Sequence, residues 1–196
     1  MRRTALLVLL LASVPLALVA CGDSETTTVT EAIGTEATDT AATEGGPSGR
    51  LTAAGVGDAT RGASEDEVAE LFGEPTRKQS GPGCELEGPD ATPVDTWTYG
   101  LVDGRVVLRF DAESRELGSY WTDSPSLETE KGDAVGEEFG SLRRGWGSQL
   151  QPLSLGVKST PQEGLWRVGD AEESLLFEIA GGRITAISGG QIEICE

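Results

Sequence analysis

The chain has 196 residues, 15 basic and 33 acidic side chains, a formal net charge of −18 and 37% hydrophobic residues. The length fits one domain or two small ones, and the acidity disfavours nucleic acid phosphates and anionic lipid headgroups as partners. Histidine and asparagine are absent, which excludes Ser-His-Asp and Cys-His nucleophile systems, imidazole metal ligands and N-x-S/T glycosylation.

Arg2 and Arg3 open the chain, and residues 4–20, TALLVLLLASVPLALVA, form an apolar run with a small-residue end. This is the anatomy of a secretory signal. Pro15 interrupts the run, and a polar tract without basic stop-transfer residues follows Cys21. Residues 1–20 therefore read as a leader rather than a membrane span. The sequence Leu18-Val19-Ala20-Cys21 resembles the bacterial lipobox: a leucine, a variable position, a small residue and a cysteine. The resemblance implies that Cys21 receives a diacylglyceryl group and becomes the first mature residue. Acyl chains such as palmitate contribute ~0.8 kcal/mol per buried methylene, and more than one chain gives stable anchoring. The implied location is extracytoplasmic, on a bacterial cell membrane. Removal of the leader also removes Arg2 and Arg3, leaving 13 basic against 33 acidic side chains, or −20.

Residues 22–50 hold eight threonines and six acidic residues, with Val29 and Ile33 as the only larger aliphatics. Such a tract buries too little apolar surface to offset its ordering entropy. With Cys21 it is expected to form a disordered Thr/Glu-rich tether over 21–50, kept extended by its own charge.

The composition changes at residue 51. Ser64 and Glu67 form a capping box, Val68, Leu71 and Phe72 share a helical face, and Gly73 and Pro75 end the helix. Strands are predicted over 95–100, 105–111 and 115–123, with the Asp103-Gly104 pair as the hairpin turn between the first two. Val106, Leu108 and Phe110 alternate onto one face. The order then recurs. A helical stretch over 136–147 carries Phe139, Leu142 and Trp146, and strands are predicted over 164–170, 174–181 and 183–195. Trp97 stands eleven residues before Leu108, as Trp166 does before Phe177, and Gly100 and Gly169 fall in register. This shared spacing argues for an internal duplication. The expected fold is α+β: two tandem helix-plus-antiparallel-meander units, over 51–125 and 126–196, with helices on one sheet face.

The stretch GDATRGASEDEVAELFGEPT with WTYGLVDGRVVLRFD resembles the helix-then-sheet unit of the SmpA/OmlA outer-membrane assembly lipoproteins. It also resembles the duplicated form of that unit in the β-lactamase inhibitory proteins. The resemblance covers residues 56–123 well and 132–190 loosely; the second half lacks the Gly-x-Pro helix exit. It implies two units in tandem, with helices on one sheet face and an open, concave face opposite that binds partner proteins.

With Cys21 assigned to lipid, Cys84 and Cys195 remain as a pair outside the cytoplasm, where disulfides persist. A bond closing a loop of roughly 100 residues contributes ~4–5 kcal/mol on the chain-entropy model. No Cys-x-x-Cys spacing marks a redox pair. No catalytic constellation, phosphate loop or EF-hand pattern stands out, so neither an enzyme nor a cofactor is expected. Strand alternation sends Tyr120 and Trp121 to opposite faces, so one of them stands on the open side. Trp97, Tyr99, Tyr120 and Trp121 are the candidate partner contacts, since exposed aromatics on a sheet serve as binding anchors. The function expected is that of a membrane-anchored protein-interaction module at the cell envelope. The alternative is an inhibitor of a secreted or cell-wall enzyme.

Overall fold

The computed structural model describes residues 45–83, 92–153, 158–170 and 173–191. The expected leader, most of the expected tether and all three cysteines lie outside the described residues.

Among the described residues, two short α-helices, a 3-10 turn over Gly147–Gln149 and twelve strands make a mixed α+β fold. The chain begins with β1 (Arg50–Thr52), β2 (Gly55–Val56) and β3 (Ala59–Thr60). α1 (Glu65–Phe72) follows. The Ser64 hydroxyl accepts the Glu67 backbone N–H at 3.3 Å, and the Glu67 carboxylate accepts the Ser64 N–H at 2.8 Å. Val68 and Phe72 are buried, while Leu71 is 45% exposed, so the inward face is narrower than the spacing suggests. Gly73 closes the helix with its N–H on the Ala69 carbonyl.

Next come β4 (Arg77–Pro82), β5 (Pro93–Leu101), β6 (Gly104–Asp111) and β7 (Leu117–Thr122). β8 (Glu128–Thr129) precedes α2 (Phe139–Trp146), and the chain then forms β9 (Gln151–Leu153), β10 (Glu163–Gly169), β11 (Ser174–Ala180) and β12 (Arg183–Gly190). The β5–β6 hairpin turns on Val102 and Asp103, with Gly104 already in β6 opposite Leu101. That is one residue earlier than the predicted Asp103-Gly104 turn. Gly104 is required by a close approach: a Cβ there would stand 2.7 Å from Ser124 Cα.

The larger sheet has the order β4-β5-β6-β7-β12-β11-β10-β9, and every neighbouring pair is antiparallel. The smaller sheet runs β3-β2-β1-β8, with β1 parallel to β8. β1 brings Arg50 into the fold, where its guanidinium donates to the Thr129 and Glu130 carbonyls. β1 thus begins one residue before the expected unit start at 51, and the small sheet joins residues on both sides of the expected 125/126 boundary.

One face of the large sheet carries the core. Trp97, Leu108, Tyr120, Gly189, Leu175 and Val168 stand in one cross-strand row. Tyr99, Val106, Thr122, Ile187, Phe177 and Trp166 form the next. Both helices cover this face. Phe72 meets Tyr99 edge-on with centroids 5.9 Å apart, Trp146 lies 6.5 Å from Phe177, and Phe139 lies 4.6 Å from Trp166. Leu51, Val56 and Ala59 of the small sheet are fully buried in the same cluster.

Candidate functional site

The opposite face of the large sheet is built by the other half of each alternation. In the run Arg105-Val106-Val107-Leu108-Arg109-Phe110, the second, fourth and sixth residues are fully buried. Arg105, Val107 and Arg109 therefore point the other way. Strand pairing continues this side across the whole sheet as the row Arg77, Thr98, Val107, Trp121, Ser188, Leu176, Arg167 and Gln151. No helix or strand among the described residues packs over it.

Trp121 stands near the middle of this row, half-buried. Its indole N–H donates to Glu178 Oε1 at 3.2 Å, two strands away on β11. The ring thus lies across β12, whose residues on this side, Ala186 and Ser188, are small enough to let it pass. The Arg105 guanidinium sits 5.2 Å from the indole centroid, within cation–π range. Arg105 is itself held by Asp123, with its Nε 3.4 Å from Oδ2 and its backbone N–H 2.8 Å from Oδ1. The indole is thereby held at two points, by Glu178 at its N–H and by the Arg105 guanidinium over its ring.

Of the four aromatic residues singled out from the sequence, this geometry keeps only Trp121 at the surface. Trp97, Tyr99 and Tyr120 are between 2% and 4% exposed and belong to the core. Trp97 packs against Phe110 and under the Lys78 ammonium. The Tyr99 hydroxyl donates to the Gly73 carbonyl at 3.1 Å, tying β5 to the end of α1. The Tyr120 hydroxyl donates to the Thr52 carbonyl at 2.8 Å, tying the large sheet to the small one. Burial pushes both phenols well above their ordinary pKa, so both remain donors throughout the physiological range. Their role as partner contacts is corrected accordingly: period-2 alternation separates the two faces but does not say which one the helices cover.

Arg77, Arg105, Arg109, Arg167 and Glu178 were not singled out in advance. For Arg105 and Arg109 the signal was present, since they alternate with the core residues of β6. Arg77 lies on an edge strand whose sequence, RKQSGP, has no apolar alternation. Arg109 also borders a hollow of about 220 Å³ at one end of the sheet, shared with Gly83, Thr92, Ser119 and Gln191. No set of three His, Cys, Asp or Glu side chains able to hold a metal occurs among the described residues. No described helix is long and apolar enough to cross a membrane.

No protein-family model matches the chain, and no curated protein does. Among solved structures it is similar to an extracellular protein containing a SCP domain from Bacillus anthracis str. Ames, at 11% identity and a TM-score of 0.46. The match covers 65% of this chain and 42% of that one. At this level the likeness supports no statement about fold or function.

Proposed function

We propose that this chain is an extracytoplasmic lipoprotein, anchored through Cys21, whose folded part is a protein-interaction module that docks its partner on the open face of the eight-stranded sheet. The observation that carries the reading is Trp121, partly exposed, held by Glu178 and Arg105, and central in a broad face. A preorganised aromatic in the middle of a large surface is the usual form of a binding hot spot.

The fold is further read as a duplicated unit. Val107 pairs with Trp121 and Leu176 with Ser188, and Trp121 pairs with Ser188. This pairing is what a twofold axis through the Trp121–Ser188 pair would produce. Trp97 opposite Leu108 and Trp166 opposite Phe177 support the same relation. A disulfide between Cys84 and Cys195 belongs to this reading. Gly83 and Gln191, which precede the segments carrying them, line one hollow, and a non-reducing mass spectrum lacking free thiols on the mature protein is expected.

Two experiments test the proposal. Metabolic labelling with an alkyne fatty acid should mark the wild type and not Cys21→Ser, with the variant released from the membrane. A photo-crosslinker at position 107 should capture a defined envelope protein in intact cells, and Trp121→Ala should abolish the adduct. Persistence of the adduct in the variant would remove Trp121 as the anchor. The inhibitor alternative is favoured by the twofold pairing, which matches the implied architecture of the β-lactamase inhibitory proteins. Absence of inhibition of penicillin-recognising enzymes at micromolar concentration would end it.

A further inference from the structure

The open face differs from the rest of this acidic molecule. The described residues hold 13 basic and 21 acidic side chains; this face carries four of those cations, Arg77, Arg105, Arg109 and Arg167, with four carboxylates, Asp111, Asp123, Glu163 and Glu178, and is balanced in charge where the rest is net acidic. Arg105 pairs with Asp123, Asp111 accepts the Glu113 and Ser114 backbone N–H groups of its own turn, and Glu178 accepts the Trp121 indole N–H and keeps its charge. Arg77, Arg109 and Arg167 have no carboxylate within ion-pair distance among the described residues, in a chain where carboxylates are abundant. Between Arg77 and Arg167 the row is Thr98, Val107, Trp121, Ser188 and the buried Leu176, so Val107 and Trp121 are the apolar side chains it presents between two guanidinium groups without a carboxylate partner among the described residues. The two arginines are six strand spacings apart, or about 29 Å at about 4.8 Å per spacing. The whole face measures about 34 by 20 Å on the same basis, or about 700 Å². That approaches the ~800 Å² that each partner contributes to a standard protein interface. It is far larger than a small molecule needs.

From the open-face reading, on which this step rests, we infer that the partner is an acidic protein surface with carboxylates on either side of an apolar patch. Its carboxylates engage Arg77, Arg109 and Arg167, and the patch covers Val107 and Trp121. Guanidinium groups held free at the rim of an aromatic centre supply orientation and selection by charge, while the centre supplies the desolvated contact.

The test uses the mature full chain and a labelled peptide of about ten residues, long enough at about 3.3 Å per residue to reach both end arginines. The peptide carries glutamates at both ends and Leu-Phe-Leu in its middle, and is compared with its Gln-for-Glu and Lys-for-Glu analogues by fluorescence anisotropy. The acidic peptide should bind at least about tenfold more tightly than the Gln analogue, with the difference shrinking as salt is raised. The Lys analogue should not bind. The triple variant Arg77→Gln/Arg109→Gln/Arg167→Gln, with unchanged melting temperature, should reduce the acidic peptide to the level of the Gln analogue. Amide shifts in the wild type should map to Thr98, Val107 and Ser188. Equal binding of acidic and Gln peptides, or full binding by the triple variant, overturns the inference. Equally tight binding of polyphosphate overturns it in favour of a phosphate polymer. Binding that appears only after Glu25, Glu31, Glu36 and Glu44 are changed to Gln assigns the face to the chain's own acidic tract instead. Should the position-107 crosslink survive in the arginine variant while Trp121→Ala abolishes it, the open-face reading stands and the preference for acid falls. Survival of the adduct in both variants removes Trp121 and the arginines as anchors, and absence of any adduct from the wild type removes the open-face reading itself.

Discussion

At the residue scale, the polar side chains that matter most for stability are those buried with a full set of partners. Asp133 is 4% exposed. Its Oδ2 accepts the Trp146 indole N–H at 2.7 Å and the Thr129 hydroxyl at 2.8 Å. Lys131 lies 3.9 Å above the same indole and donates to the Gly145 carbonyl. Trp146→Phe keeps most of the ring but takes a donor from a buried carboxylate. It is expected to lower stability by ~2 kcal/mol, read as a fall in the urea midpoint. Tyr120→Phe removes only a neutral hydrogen bond to Thr52 and is expected to cost ~1 kcal/mol. Gly189 is opposite Tyr120, and a Cβ there would stand 2.4 Å from the ring and 2.7 Å from the Thr52 carbonyl oxygen. Gly189→Ala should therefore destabilise by more than ~3 kcal/mol, because both obstacles are tightly placed.

At the scale of the element, α1 shows how local chemistry sets a boundary. The Ser64 backbone N–H and then its hydroxyl hold the Glu67 carboxyl below the usual carboxylate range. A depressed pKa stabilises the fold above the ordinary carboxylate value, and that contribution is lost as pH falls through the folded value. The melting-temperature gap between wild type and Glu67→Gln should accordingly be present at neutral pH and shrink as the solution is acidified below about pH 4. The Asp111 turn behaves in the same sense. Its carboxylate accepts the Ser114 and Glu113 backbone N–H groups and is held low by them. α2 has no side-chain N-cap, and its position rests on burial of Phe139, Leu142 and Trp146.

At the scale of the whole molecule, the small sheet closes the core from the side away from the open face. Leu51, Val56 and Ala59 are fully buried, and the first two alone are worth ~1.5–3 kcal/mol each. Deletion of residues 45–60 also frees the Tyr120 hydroxyl and exposes the floor of the core. It should abolish a cooperative thermal transition, whereas removal of residues 22–44 should leave that transition in place.

Much of the large sheet was legible in the sequence. Short-range signals define it: the capping box at Ser64, the glycine after Phe72, and the alternation of Val106, Leu108 and Phe110. β4, β9 and the strands of the small sheet escaped because segments of two to six residues, short or rich in polar residues, glycine or proline, carry no period to read. The candidate site was legible only by half. Alternation alone places Tyr120 and Trp121 on opposite faces and groups Arg105, Val107 and Arg109 on one. Which face would be covered depended on where two helices and a four-stranded sheet came to rest, and those contacts join residues as distant as Thr52 and Tyr120. That is why the tertiary structure decided that Tyr120 supports the core and Trp121 faces outward. The free arginines became a set only when eight strands placed Arg77 and Arg167 in one row, since strand pairing links positions that no spacing along the chain connects.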